Sequence, residues 1–491
     1  MLLLLLLTLS AAVQAQFNYV ITNGTVTITK YTGSGGAVAI PSTINGLPVI
    51  SIGSEAFYNC RSLTSVTIPG SVTSIGDWAF EDCSLTSVTI PNGSVGMRAF
   101  WYCNGLTTVT IGTGVGSIGE GAFYGCRGLT SVTIPNAVIQ DEAFFLCSGL
   151  SSVSLGPGVS WIAGGAFAWC PGLMAITVDA LNPVYSSMDG VLFTKNQTQL
   201  IEFPCGKGPI YMVPNCVTNI GGGAFAGCTI LTAVTIPDGV SSIGDSAFLG
   251  CTGLTSITIP DSVTSIGGSA FQACTNLTNI TIPRALITIG NMAFDLCRSL
   301  TSVTIPDSVN TIGDYAFEGC AGLTNVIIGS GVTNIGNSAF GACNSLRSIT
   351  IPSRVASIAD FAFGWSTNLT SVYFKGNAPA QGSYIFAGDN NATIYYLPGI
   401  TGWGATFGGR PTALWNLSIQ TTKASFGVRT NRFGFNITGT TNIPIVVEAS
   451  VDLATASWTS LQTCILTNGL IYFSDPQWTN YPARFYRLRS P

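Results

Sequence analysis

The dipeptide Ala-Phe returns along this chain at a nearly fixed interval, with its phenylalanine at Phe57, Phe80, Phe100, Phe123, Phe144 and Phe167, then at Phe225, Phe248, Phe271, Phe294, Phe317, Phe340 and Phe363. From Phe225 onward every step is 23 residues. A period of this size belongs to stacked coils, each of which buries its apolar face only against its neighbours. The period therefore outranks length as a guide: 491 residues would otherwise suggest about three average domains.

One full unit runs from Ile243 to Ser265. Within it Leu254, Ile257 and Ile259 follow the spacing L-x-x-L-x-L, whose last residues form a short parallel strand. Alternation on that strand turns Ile257 and Ile259 inward and Ser256 and Thr258 outward. Pro260 is expected to end the strand, because proline has no N–H for a continuing ladder. Val263 and Ile266 bring the chain back to the core, and Ala270-Phe271 fill the opposite side, expected in a short helical turn. The steps to Phe100 and Phe144 are only 20 and 21 residues, which predicts tighter coils that kink the stack.

This pattern resembles the BspA-like leucine-rich repeats, whose units run I-G-x-x-A-F-x-x-C-x-x-L-x-x-[VI]-x-I-P-x-S-V. The resemblance covers residues 49–375. It implies a mainly β fold, a right-handed leucine-rich repeat superhelix of about 23-residue coils. It also implies a secreted or surface location, binding of an extracellular protein or glycan, and adhesion.

The flanks read differently. Met1 to Leu9 is almost all leucine and is followed by Val13-Gln14-Ala15, a small-residue cleavage pattern, so residues 1–15 read as a signal peptide although no Lys or Arg precedes the leucines. Residues 16–48 are expected to cap the first coil, with Thr25–Thr29 and Ala37–Ile40 as a strand pair. Between Phe167 and Phe225 lie 58 residues, and a variant insertion at about 176–216 carries two alternating strand runs around turn residues. Residues 376–415, with Tyr395, Tyr396 and Trp403, read as the C-terminal cap. Residues 416–491 drop the repeat and alternate at strand period, predicting a small β-sandwich with Trp458 and Trp478 in its core. After Leu9 no stretch is long and apolar enough to span a bilayer.

Twelve of the fifteen cysteines stand three residues after a repeat Phe, from Cys60 to Cys343. They share one core position, stacked at about 4.8 Å per coil with parallel side chains, a poor geometry for pairing. They read as small buried residues, with Ser366 taking the same place in the next unit. Cys205 and Cys216 fall outside this series and are the candidate disulfide.

Chemistry is scarce. The chain has no histidine, which removes Ser-His-Asp and Cys-His arrangements, and no Cys-x-x-Cys, so catalytic, cofactor and metal sites are not expected. Asp77, Asp245, Asp314, Glu318 and Asp360 lie at bends, where acids cap turns. Only 8 % of residues are charged, and the net charge is −4 with 18 Lys and Arg scattered singly, a composition that does not suit nucleic acid or an anionic membrane. The candidate interaction face is the outward strand surface, where Ser65/Thr67, Ser87/Thr89, Thr108/Thr110, Ser131/Thr133, Ser256/Thr258 and Ser302/Thr304 form two nearly continuous columns, with Ser152/Ser154 as the expected continuation after Thr133. A protein or glycan partner on this face is the primary expectation. A purely structural surface component is the alternative, and ice binding a more distant one, because Asn279, Asn325, Ile327 and Tyr373 interrupt the columns.

Overall fold

The computed structural model describes residues 16–421, 426–429, 432–439, 444–452 and 457–489. The signal-peptide assignment for residues 1–15 lies outside the described residues. The chain winds as a β-solenoid whose coils stack in register. Strands Ser87–Val95, Thr108–Ile118, Ser131–Ile139 and Ser152–Ile162 run parallel, pairing Val88 with Val109 and Val132 with both Val109 and Val153. In the second half the return side of each coil contributes a two-residue strand, Asn219–Ile220, Ser242–Ile243, Ser265–Ile266 and onward, to an eleven-stranded sheet.

The rings form the spine. Phe225, Phe248, Phe271, Phe294, Phe317 and Phe340 stack at centroid distances of 4.8–5.4 Å. The short coils do not disturb the column: Phe80 meets Phe100, and Phe123 meets Phe144, at 5.1 Å each with interplanar angles of 3° and 9°. The expected kink is absent because the missing residues come from the return segment, which straightens into one continuous strand. Pro91 and Pro135 sit inside these longer strands, and the pairing register skips past each of them, from Ile90 to Asn92 and from Ile134 to Asn136. There proline bends the ladder instead of ending it.

The corner around each Phe is a turn and not the expected helix. The residues two before and two after the Phe take left-handed backbone, as at Trp78 and Asp82, or Met292 and Leu296, which no right-handed helix accommodates. On the outside of this corner a large side chain is followed on the next coils by glycine at two places. A Cβ added to Gly227 or Gly250 would fall 2.4 Å from the Trp169 ring, and one on Gly125 would fall 2.7 Å from Tyr102. The indole of Trp169 thus lies across the next two coils, in space that glycine leaves open.

At the front, Thr25–Tyr31 and Gly36–Ala39 do not pair with one another. The first pairs with Phe17–Thr22 and with Leu47–Ile52 on the return side, and the second with Leu63–Thr67 on the strand face. Phe17 and Tyr31 close the ring column on Phe57. In the insertion Tyr185–Met188 and Val191–Thr194 form a hairpin, and Gln199–Glu202 rejoins the parallel ladder through Asn219–Ile220. This hairpin is the seam between two apolar clusters, one running from Phe17 to Leu192 and the other from Val191 to Phe407. At the far end Trp403 stacks on Tyr396 at 5.1 Å and meets Phe374 edge-on.

The tail holds two antiparallel sheets sharing a core of Phe435, Ile437, Ile445, Val447, Leu466 and Phe473. Trp458 and Trp478 are not part of that core. Both are half-buried at its margin, Trp458 under the Arg487 guanidinium at 4.2 Å and Trp478 beside Phe433. Their neighbours in sequence are turn and edge residues, so the alternating Phe and Ile residues of the strands fill the inside.

Candidate functional site

The outward columns are brought together as the spacing predicts. Ser65 pairs with Ser87 and Thr67 with Thr89, and the same register sets Ser87 on Thr108 and Thr89 on Thr110, then Thr108 on Ser131 and Thr110 on Thr133. Beyond the seam, Ser256 and Thr258 pair with Asn279 and Thr281, and Ser302 and Thr304 with Asn325 and Ile327. Apart from the half-buried Ser65, these twelve candidate residues are exposed. An open groove of about 580 Å³ crosses the face at Asn279, Thr281, Ser302 and Thr304, flanked by Arg284 and Asp307.

The expected continuation past Thr133 is present in register, with one of its two hydroxyls engaged. Thr133 is exposed and pairs in register with Thr110 on one side and Ser154 on the other. Among the described residues its hydroxyl has no partner within the chain. The next one, on Ser154, lies 3.2 Å from the Thr177 hydroxyl and is bonded to it, and Thr177 also reaches the Val153 carbonyl. Thr133 is also where pairing with the preceding strand stops, to resume only at Val138, because the two strands carry return segments of different length after it. The face itself runs on toward the seam: Ser152 pairs with Ser131, is exposed and makes no side-chain hydrogen bond among the described residues, so only the Ser154 hydroxyl of that pair is engaged.

A third hydroxyl column, one residue before the first, behaves differently. Thr86 donates to the Thr64 carbonyl, Thr107 to Thr86, Thr278 to Thr255 and Thr301 to Thr278, at 3.0–3.4 Å. These hydroxyls tie one coil to the next. Among the described residues, none of the twelve candidate hydroxyls donates to or accepts from another group of the chain, so their hydrogen-bonding capacity faces solvent.

Two apolar side chains on this face were missed in the sequence. Ile210 and Met212 are 68 % and 72 % exposed and occupy the outward columns, paired with Ala233 and Thr235. Aligning Val213-Pro214 with Ile259-Pro260 would have found them, since the strand is in phase with its terminal proline even where the Ala-Phe mark is lost.

The cysteine assignment is also corrected. Cys205 bonds to Cys228, with a Cα separation of 4.5 Å, and not to Cys216, which is exposed in the turn after Val213. Cys205 stands 23 residues before Cys228, so it occupies the ladder position of the variant coil. It follows Phe203 by two residues instead of three, and this local slip breaks the parallel alignment that keeps regular ladder thiols apart. The other buried ladder thiols are more than filler. Each donates to the carbonyl of the preceding coil's Phe, as Cys251 to Phe225 at 3.1 Å and Cys297 to Phe271 at 3.2 Å. Ser366 makes the same bond to Phe340 at 2.8 Å. Burial pushes the thiols of Cys103, Cys274 and Cys343 up to about 12, so they stay protonated as donors.

The bend acids are committed to the backbone. Asp77, Asp245, Asp314 and Asp360 accept the N–H of Met97, Gly268, Asn337 and Ser383, each one coil onward, at 2.6–2.8 Å. Glu318 lies beside Asp295, and burial raises both carboxyls. Glu202, 1 % exposed at the seam, lies beside the Phe167 N–H, which a regular coil would give to the next Ala carbonyl, as Phe144 gives its own to Ala166. Burial holds its carboxyl well above the usual range. Among the described residues no helix is long and apolar enough to cross a membrane.

Parallel coils of about 23 residues, with an L-x-x-L-x-L strand on one side and a stacked Phe corner on the other, define a leucine-rich repeat solenoid. The BspA type leucine rich repeat region matches residues 38–138, 85–188, 209–321 and 287–406. The chain belongs to this family. No curated protein matches it. Among solved structures it is similar to a leucine-rich repeat protein from Eubacterium ventriosum, at 26 % identity and a TM-score of 0.51, covering 70 % of this chain and 91 % of that one. A leucine-rich repeat protein from Bacteroides ovatus is 29 % identical, with a TM-score of 0.45 over 78 % and 94 % of the two chains. A leucine rich cell surface protein from Faecalibacterium prausnitzii is 28 % identical, with a TM-score of 0.45 over 67 % and 92 %.

Proposed function

We propose that this protein is an exported scaffold, secreted or held at the cell surface, that binds an extracellular protein or glycan on its strand face and serves in adhesion. The observation that carries this reading is the pair of uncommitted hydroxyl columns beside a column of the same residue types used to tie the coils together. Hydroxyls free of internal partners offer a long register of donors and acceptors to a ligand. Ile210 and Met212 place an exposed apolar contact midway along the strand face. The leucine-rich leader at residues 1–15 and the membership of the BspA-type repeats support export. In this reading residues 49–375 form the binding array, between caps at residues 16–48 and 376–415, and residues 416–491 attach it to the surface.

The test is capture of extracellular-matrix proteins and glycans by the full mature chain, with Thr110→Arg/Thr133→Arg as a strand-face variant. Saturable, salt-tolerant binding that this variant weakens supports the reading. Absence of binding to either class overturns it in favour of a purely structural surface component, and thermal hysteresis would instead favour ice binding.

A further inference from the structure

Away from the strand face, the corner beside the first coils holds an open cleft of about 370 Å³ walled by the rings of Tyr58, Trp78 and Trp101 and by Glu55 and Glu81. Three features set it apart from the rest of the corner. Glu55 and Glu81 make no ion pair among the described residues, whereas the neighbouring Asp82 is paired with Arg61. Among the described residues Tyr58 and Trp78 have no ring stacked on them, whereas Trp101 stacks on Tyr102 at 5.3 Å and Tyr124 on Phe145 at 5.1 Å. Arg98 lies over the Trp101 ring, 4.5 Å from its centroid, and shows within the chain what such a surface attracts.

Burial holds the Glu81 carboxyl above its ordinary range. Arg98 opposes that shift, while the negative charges of Asp82 and Glu55 add to it. With Arg61 already paired to Asp82, Arg98 is the cation close to Glu81, so the two carboxylates of the cleft outnumber the positive charge beside them. Aromatic walls with carboxylates between them favour a cation over a neutral or anionic group. A neutral glycan would leave the excess negative charge of the cleft unbalanced, and an anionic surface would be repelled. The apolar stem of a long basic side chain matches the unstacked Trp78 ring.

We propose that this cleft receives a lysine or arginine side chain presented by a basic segment of a partner protein. The proposal rests on the protein-binding reading above and assigns it a second surface with a defined charge preference. Binding of an alternating Lys-Gly peptide, with a Glu-Gly peptide as control, is followed on the full chain by calorimetry and tryptophan fluorescence at low and at physiological salt. Saturable binding of the Lys-Gly peptide alone is expected. Glu55→Gln/Glu81→Gln should weaken it by about tenfold or more, and Trp78→Ala by about tenfold. Glu120→Gln/Asp141→Gln removes the same charge further along the corner and should change affinity by less than about twofold. Equal weakening by the two carboxylate pairs would mean diffuse attraction and overturn the proposal, as would binding that the Glu55/Glu81 and Trp78 changes leave intact. The Gln variants remove repulsion at exposed or half-buried sites, so loss of fold does not confound them. Retention of peptide binding by Thr110→Arg/Thr133→Arg separates this cleft from the strand-face reading.

Discussion

At Cys297 a thiol donates to the Phe271 carbonyl, and at Ser366 a hydroxyl does the same to Phe340. The ladder position therefore selects a small side chain with a hydrogen to give. Replacing Cys297 by Ser should leave stability within about 1 kcal/mol, whereas Cys297→Val, closer in apolar character, should cost about 1–2 kcal/mol by leaving the Phe271 carbonyl short of a donor. Chemical denaturation of the two variants measures this order. Asp389 takes the same ladder position two coils after Cys343, buried, and its carboxyl is pushed up to about 7 by burial, with Arg410 and the Ser366 N–H working against the shift. A carboxyl raised on folding adds stability that is complete below its ordinary range and lost as pH rises to about 7, with no further loss above. The C-terminal coils should thus be more stable at pH 5 than at pH 8, and Asp389→Asn should flatten that dependence, raising stability at pH 8 by about 2 kcal/mol. Hydrogen exchange over residues 363–407 reads this directly.

Among the elements, the variant coil carries the most information. Its Cys205–Cys228 bond closes a loop of 23 residues at the seam, where strand pairing is interrupted by a hairpin. Reduction, or Cys228→Ser, should cost about 3 kcal/mol from loop-closure entropy. Thermal melts with and without reductant check this, with alkylation mapping to confirm that Cys216 is freely labelled throughout. Regular coils were legible in the sequence because the pattern is redundant: Leu254, Ile257, Ile259, Pro260 and Phe271 each report the same phase. The variant coil was not, because Phe203 follows Glu202 instead of alanine, and counting by Ala-Phe alone leaves Cys205, Ile210 and Met212 without a phase. The fates of the hydroxyls were equally hidden. Thr107 and Thr108 are identical in composition, and only the reach of Thr107 to the Thr86 carbonyl separates a tie from a free group. Thr133 and Ser154 likewise share one column, yet the second is taken up by Thr177 and the first is not.

For the whole molecule, the division of the core at Val191 and Leu192 implies two folding units in one continuous stack. Coupling in such arrays passes between neighbours and weakens at a poor interface. Phe123→Ala should cost about 3–5 kcal/mol and strip hydrogen-exchange protection from residues 55–176 first, leaving residues 225–394 near their original protection. Uniform loss along the chain would show that the seam transmits stability without a break. The outline of the solenoid followed from the sequence, while the free and committed surfaces on it required the register of neighbouring coils.

The indole of Trp169, lying across Gly227 and Gly250, sets a limit on how such an array is lengthened or shortened. A coil copied with its glycine but without the large residue before it leaves a gap on the corner, and one copied with the large residue alone strikes its neighbour. Tyr102 with Gly125 imposes the same condition. Grafts and deletions that keep these partners together should be tolerated, and those that cut between them should not, so the transferable module here is a run of matched coils and not the single 23-residue unit.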